Sequence, residues 1–461
     1  MAKGRREGRG RGPRREGAPG TGRDEPPEPR GAAPREPRGA DHRRPRDPDA
    51  RRPRDPDARR PHPARAPEPV EAREFEVTIE RLLPGGLGLA HADGKTILVA
   101  LSAPGDRLRV RVERERGRTL FASPVEVLAP GPERVEPPCP YFGRCGGCDF
   151  QQLTYEAQLA AKAEIVRDCL RRIARVEPPA EIPVEPSPAA WHYRSRARWQ
   201  FDPVRLHLGY YERGTHRVCD VVECPVAAPP VQARLTALRS EMSEGSLPDQ
   251  FSEFEAVAGD RDVSLDPPVG PEDEREQERT VLGERYRFDA SCFFQINHEL
   301  LGPLIAEGLG DAAGDSALDL YCGVGLFTLP LARRFSRVVG VEGNRAAAAY
   351  ARRNLSDAGL SHARVEAAGV ADWFARRAGR EGGGFDFVLL DPPRTGAEPA
   401  TIAGILALRP RRVSYVSCDP ATLARDLRAL LEGGFRITSV RAFDMFPQTH
   451  HVETVVHLAL S

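Results

Sequence analysis

From Phe293 to the last residue, short apolar runs alternate with amphipathic stretches, and this alternation constrains the fold more than any other feature of the chain. Strands are expected over Ala317–Tyr321, Val338–Glu342, Phe385–Leu390, Arg412–Ser417 and Phe435–Asp444. Helices are expected between them, over Phe327–Arg334, Arg345–Ala358, Thr401–Ala407 and Ala421–Glu432. Continuous apolar runs suit strands buried on both faces, and the helices supply the covering layers. The expectation is an α/β fold with a doubly wound, mostly parallel sheet. Ligands of such sheets bind beyond the carboxyl ends of the strands, so the residues just past each strand carry the functional question.

The other end of the chain cannot fold this way. Residues 1–66 hold 20 basic against 11 acidic side chains and 13 prolines, although the 461 residues together balance 67 against 67. The octapeptide RRPRDPDA runs from Arg43 to Ala50 and again from Arg51 to Ala58. With almost no large apolar side chain to bury, residues 1–69 are expected to be a disordered tail. Its charge suits a tether for nucleic acid, and a solvated repeat without a specific role fits equally well.

Residues 70–130 read as a small antiparallel barrel. Phe75–Ile79, Thr96–Val99, Leu108–Val112 and Phe121–Val127 are strand-like and separated by turn signals such as Gly85-Gly86 and Asp93-Gly94. Arg107, Arg109 and Arg111 alternate outward along one strand, facing either a phosphate backbone or water. Residues 131–290 form a central α+β region with a cysteine-rich loop, a helix over Tyr155–Val176, mixed strands and an exposed acidic loop over Asp266–Arg279. Residues 291–461 hold the α/β domain. No uncharged apolar run is long enough to span a bilayer, and Met1–Gly20 lacks the apolar core of a secretory signal. Nine cysteines without such a signal point to a reducing cytoplasm, and no membrane partner is expected.

Four strand ends of the α/β domain carry unusual residues. Asp319-Leu320-Tyr321-Cys322-Gly323-Val324-Gly325 lies where a strand hands over to a helix, and glycines there let backbone approach a ligand. Glu342 ends the next strand, a position suited to ribose hydroxyls. The loop lacks the longer dinucleotide pattern, which favours S-adenosylmethionine over NAD. Asp391-Pro392-Pro393-Arg394-Thr395-Gly396 and Ser417-Cys418-Asp419-Pro420 follow two further strands. Cys418 precedes a helix, whose N-terminus is expected to favour its thiolate. Phe446-Pro447-Gln448-Thr449-His450-His451-Val452-Glu453 precedes the last strand. Taken singly, Cys418 suits an inert buried thiol and Glu453 an ion-paired acid; their shared edge favours chemistry.

Cys139-x5-Cys145-x2-Cys148 occupies a loop without helix or strand character, which in a reduced protein points to metal. On spacing alone a four-thiolate site suits zinc or [4Fe–4S]. Arg194, Arg196 and Arg198 alternate along one strand and could contact RNA phosphates, with Trp191 or Trp199 available to stack. A solvated strand face is the alternative. His450 and His451 are expected to make local hydrogen bonds rather than bind a metal.

The motifs DLYCGVG, DPPRTG, SCDPATLARDL and DMFPQTHHVETV resemble those of the RNA uracil-5-methyltransferase family, and within it the ribosomal RNA branch with an N-terminal TRAM domain and an iron–sulfur cluster. The resemblance covers roughly residues 73–461 and implies a class I, Rossmann-like S-adenosylmethionine-dependent methyltransferase domain behind an OB-like TRAM barrel. It implies Cys418 as nucleophile and Glu453 as base. Gln295, Tyr321, Glu342 and Asp391 would contact S-adenosylmethionine, beside the glycine turn of Gly323 and Gly325. Cys139, Cys145, Cys148 and Cys224 would hold a [4Fe–4S] cluster, with Cys219 the competitor for the fourth place. Leu326 and Gly369 depart from the family's pattern where polar cofactor contacts are usual, and Asp372 stands near the second. The implied reaction is methylation of uridine C5 in RNA, 23S rRNA before the transfer RNA T-loop, by a monomer. An inactive RNA-binding assembly factor is the reading from another class. An amino-methyltransferase would carry an aromatic residue where Arg394 stands.

Overall fold

A computed structural model describes residues 73–271, 273, 276–377 and 384–461. The repeat-bearing tail, read above as disordered, lies outside the described residues.

The first layer is built from β1 (Glu74–Thr78), β2 (Arg81–Leu82), β3 (Gly88–Ala92), β4 (Lys95–Val99), β5 (Arg107–Arg116) and β6 (Thr119–Ala129). Their order is β1-β5-β6-β4-β3-β2, and β1 runs almost directly into β2, so the sheet curls back on itself. Alternation of apolar residues sends Val77, Ile97, Val99, Leu108, Val110, Val112 and Leu120 into one buried core. Two of the three outward arginines of β5 are already paired, Arg109 with Glu126 at 2.6 Å and Arg111 with Glu74 at 3.0 Å, while Arg107 is exposed.

Helix α1 (Tyr155–Cys169) begins at Thr154, whose side chain accepts the Ala157 N–H. It continues as a π-helical turn to Ala174 and stops at Arg175, which is left-handed. Next come β7 (Val184–Glu185), β8 (Arg196–Asp202), β9 (His207–Tyr211), β10 (Val218–Asp220), α2 (Pro229–Ser243), β11 (Glu253–Ala258) and β12 (Val263–Asp266). The strands from β8 to β12 make an antiparallel sheet ordered β10-β9-β8-β11-β12, and β13 (Gln277–Val281) and β14 (Glu284–Phe288) form a separate hairpin. The stretch Asp266–Arg279 is therefore not one exposed loop. Its last residues lie in β13, and Asp273 is buried against Arg234 of α2 at 2.8 Å.

The last region comprises α3 (Leu301–Leu309), β15 (Gly314–Leu320), α4 (Thr328–Ala332), β16 (Phe335–Glu342), α5 (Arg345–Asp357), β17 (Ala363–Ala367), α6 (Val370–Arg377), β18 (Phe387–Leu390), α7 (Pro399–Leu408), β19 (Arg412–Ser417), α8 (Pro420–Glu432), β20 (Phe435–Phe443) and β21 (Glu453–Leu460). The sheet order is β17-β16-β15-β18-β19-β21-β20-β7. The five strands from β17 to β19 are parallel, and β21 runs antiparallel to both its neighbours. Two apolar cores cover the two faces, with Ala317 and Leu389 on one, Leu318 and Leu390 on the other. β17 and α6 were not expected from sequence; β17 presents one buried residue, Val365, too little to register as a strand. No helix among the described residues is long and apolar enough to cross a membrane.

Reversal of β21 has a direct consequence for the site. The chain leaves β20 at the carboxyl edge, crosses over residues 444–452 and enters β21 from that same edge. In register, Ser417 at the end of β19 faces Thr454, and Phe443 faces Glu453. Cys418 and Glu453 therefore stand side by side at the edge where β15, β16 and β18 also end.

Candidate active site

Glu453 is 1 % exposed, and its Oε1 has no hydrogen-bond partner among the described residues. Loss of water, with the charge of Asp391 next, raises its carboxyl well above the usual range, while Arg394 opposes. Cys418 is only partly buried, yet burial pushes its thiol up to about 12, with Glu453 and Asp391 adding to the rise and Arg394 countering it. The expected help from the helix N-terminus does not arrive. Asp419 caps α8 with its own carboxylate, accepting the Ala421 and Thr422 N–H groups at 3.0 and 2.8 Å, so the first-turn amides are already taken. Arg394, quoted above within its motif without a role, is the cation that faces both Cys418 and Glu453.

The glycine turn after β15 is strained and tightly held. Tyr321 (φ 61°) is left-handed, and its hydroxyl donates to Glu398 and meets Thr401 at 3.2 Å. Gly323 and Gly325 also have positive φ. A Cβ on Gly325 would lie 3.0 Å from Leu329, so this glycine serves helix packing, whereas one on Gly323 would meet nothing and faces open space. Glu342 accepts the N–H of Gly323 at 2.8 Å and of Asn344 at 2.6 Å, so the expected ribose acid also fixes the turn. Asp319, unremarked in the sequence, is fully buried, receives the Thr328 hydroxyl and is raised by burial to about 8.

Gln295 is buried and donates from Nε2 to Asp391 at 3.4 Å, leaving its Oε1 unpaired. Burial raises Asp391 to about 7, and Gln295 opposes the rise. Leu326 points into the apolar core rather than to this edge; only its carbonyl is used, by the Tyr286 hydroxyl at 3.1 Å. Gly369 lies beside Asp372, whose carboxylate oxygen would be 3.4 Å from a Cβ placed there. His451 is part-buried next to Phe446 and His450, and burial together with His450 and Arg394 lowers its imidazole to about 2.

Cys139, Cys145, Cys148 and Cys224 line one largely apolar cavity together with Tyr141, Arg194 and Tyr210. Cys219 does not line it; its sulfur is buried and accepts the Arg144 Nε–H at 3.2 Å. Burial pushes Cys145 and Cys148 up to about 12, so bare thiolates are disfavoured unless a cationic group joins them. Among the described residues no three potential ligands converge as one bound ion would require.

The arginine face expected on β8 and before it is divided. Arg194 is turned inward to the thiol cavity with its Nε unpartnered. Arg196 is held by Glu255 and by the carbonyls of Cys292 and Ala290. Only Arg198 is exposed, and it pairs with Glu255 at 3.2 Å. Trp199 is fully buried and cannot stack on a base, while Trp191 packs at the edge of the core.

Residues 274–460 match the family model described as tRNA (Uracil-5-)-methyltransferase. Residues 75–132 match the TRAM domain of tRNA (uracil(54)-C(5))-methyltransferase. The chain is 35% identical over 428 residues to the 23S rRNA (uracil(1939)-C(5))-methyltransferase RlmD of Alkalilimnicola ehrlichii, covering 83% of this chain and 95% of that protein. It is 33% identical to the enzyme of the same name from Pectobacterium atrosepticum, over 83% of this chain and 93% of that one. The structure is similar to that of Pyrococcus abyssi tRNA (uracil-54, C5)-methyltransferase in complex with S-adenosyl-L-homocysteine, with a TM-score of 0.65 and 27% identity. That likeness covers 84% of this chain and all of the other.

Proposed function

Because the chain belongs to the RNA (uracil-5-)-methyltransferase family and is an S-adenosylmethionine-dependent enzyme of it, we propose that it methylates a uridine of 23S rRNA through a covalent adduct on Cys418. The observation that carries the mechanism is the register of β19 and β21, which sets a thiol and an unpartnered buried carboxyl side by side. Uracil C5 is too weak a carbon nucleophile to accept a methyl group unaided. The Cys418 thiolate adds to C6, forming an S–C bond and an enolate whose C5 carries the electron pair. S-adenosylmethionine, when bound, supplies the methyl group that C5 takes up, leaving S-adenosylhomocysteine. Glu453 then accepts the C5 proton; the C5–H electron pair restores the C5–C6 double bond and the S–C6 bond breaks. A carboxylate made more basic by burial suits that step. Arg394 faces both groups and favours the thiolate. The base must leave its stack to reach this edge.

For the cofactor, Glu342, Gln295 and Asp391 would supply polar contacts around the open side of Gly323. Domain limits at residues 70–130, 131–290 and 291–461 go with this assignment. Ribosomal RNA is favoured by relatives of that name at 35% and 33% identity, against 27% for the transfer RNA enzyme of known structure. The barrel does not discriminate, since its matching family is described from a transfer RNA enzyme. Cys139, Cys145, Cys148 and Cys224 are the residues that would hold a [4Fe–4S] cluster, with Arg194 in the cavity lining as a counter-charge to the thiolates.

Mapping of 5-methyluridine in ribosomal and transfer RNA from a deletion strain should show loss in 23S rRNA alone. Loss in the transfer RNA T-loop would reassign the substrate, and no loss would favour the inactive assembly factor. Complementation with Cys418→Ala should fail, and the purified variant should form no adduct with 5-fluorouracil-substituted RNA.

A further inference from the structure

The crossover that brings Glu453 back to the edge is held largely from outside its own sheet. Gln448, at its centre, is left-handed (φ 68°) without being glycine, so neighbours must hold it there. Asp149 and Phe150 both donate backbone N–H groups to the Gln448 carbonyl, at 3.1 and 3.0 Å. Gln158 of α1 accepts the Gln448 N–H at 2.9 Å and donates to its side chain at 3.0 Å. Lys162, one turn on, sits against Asp444 and the Phe446 carbonyl, and the Tyr193 hydroxyl donates to Pro447 at 2.9 Å. The Asp149 carboxylate accepts the His450 N–H at 2.8 Å and meets its Nδ1 at 2.5 Å. From His450 the chain reaches Glu453 through His451 and fully buried Val452, with little slack.

Asp149 follows Cys148 directly, so the thiol cavity and the crossover share one short piece of backbone. Glu453 Oε1 has no hydrogen bond to set its direction, which leaves the backbone entering β21 to aim it. Cys418 depends on none of these contacts. It sits between β19 and α8, whose start is fixed by Asp419.

We propose that Asp149 is a positioning residue for the proton-abstraction step: anchored by the cysteine loop, it fixes His450 and thereby the aim of Glu453 at C5. The inference rests on the reading of Cys418 as nucleophile and Glu453 as base. It separates the two halves of the reaction, because a loosened crossover impairs the base and spares the nucleophile.

Single-turnover reactions with an unmodified 23S rRNA transcript and S-adenosylmethionine, resolved on denaturing gels, read adduct formation and decay separately. Asp149→Ala should form the methylated adduct at the wild-type rate and release it about 10- to 100-fold more slowly, the scale of a small misplacement of a reacting group. Asp149→Asn, which still accepts the His450 N–H, should fall between the two. Adduct decay at the wild-type rate in Asp149→Ala overturns the proposal. So does a parallel fall in formation and decay in both variants, or a parallel fall in adduct formation and bound iron, which would assign Asp149 to the cysteine loop alone. Glu453→Gln is the control. If it traps no adduct, the reading of Glu453 fails and the inference falls with it; if it traps the adduct while Asp149→Ala decays normally, the inference alone fails.

Discussion

At Cys418 the loss of water and two carboxyl groups act against the thiolate, and one arginine acts for it. The balance has a kinetic signature. A thiol raised to about 12 is protonated at neutral pH, and below that value the thiolate fraction grows roughly tenfold per pH unit. Adduct formation with 5-fluorouracil-substituted RNA should therefore climb steadily as pH rises through neutrality. Asp391 complicates the slope in a defined way. Raised to about 7, it gains charge in the same window and opposes thiolate formation, so the climb should be shallower there than in Asp391→Asn. A rate that levels off in mildly acidic buffer would show a thiol already ionised and would contradict this electrostatic picture. Arg394 could have been found from sequence, since it follows Asp391-Pro392-Pro393 at a strand end. The capping of α8 by Asp419 was also legible: an aspartate before proline at a helix start is a strong cap, and it withdraws the amides a neighbouring sulfur would need.

Among the elements, α1 has the least expected part. Its sequence shows an ordinary amphipathic helix with apolar residues at helical spacing. What it contributes to the site is polar: Gln158 and Lys162, both buried, reach the crossover between β20 and β21. The Lys162 and Asp444 side chains are each 0 % exposed, so removing one leaves the other's charge buried without its ion-pair partner. Lys162→Met should lower stability by about 3–5 kcal/mol, measured by denaturant unfolding of the full chain. Replacing both, as Lys162→Met with Asp444→Leu, should recover much of that loss, because two apolar groups leave nothing unsatisfied. A single variant as stable as the parent would mean that the pair is not desolvated as described. β17 and the short β7 show the opposite problem: one buries a single residue and the other is two residues long, so neither imposes a period on the sequence.

In the molecule as a whole, the cysteines of the cavity come from two separate stretches, residues 139–148 and Cys224. A group bound there would tie the loop after the barrel to the start of α2. Protein purified without oxygen should carry about four irons per chain and show the broad visible absorption of an iron–sulfur cluster. A preparation holding only zinc that folds and methylates RNA would refute the cluster assignment. Cys224→Ser should lower the iron content, whereas Cys219→Ser should leave it unchanged, because the Cys219 sulfur lies outside the cavity against Arg144.

The order of residues was enough to foresee the parallel core of the sheet, the barrel strands and the strand ends that carry chemistry. Each of these rests on local periodicity or on a motif a few residues long, and such signals survive in one dimension. It also placed Cys418 and Glu453 on the same sheet edge. Tertiary structure alone decided where the arginines near Tyr193 point, because Arg194 and Arg196 answer to a cavity and to carbonyls far away in the chain. It likewise set Cys224 in the cavity lining and Cys219 outside it, since β10 ends between the two and no single period runs from one to the other. Above all it decided how Glu453 is held. That depends on Asp149, Gln158 and Lys162, some three hundred residues earlier, and no local pattern encodes a contact across such a distance.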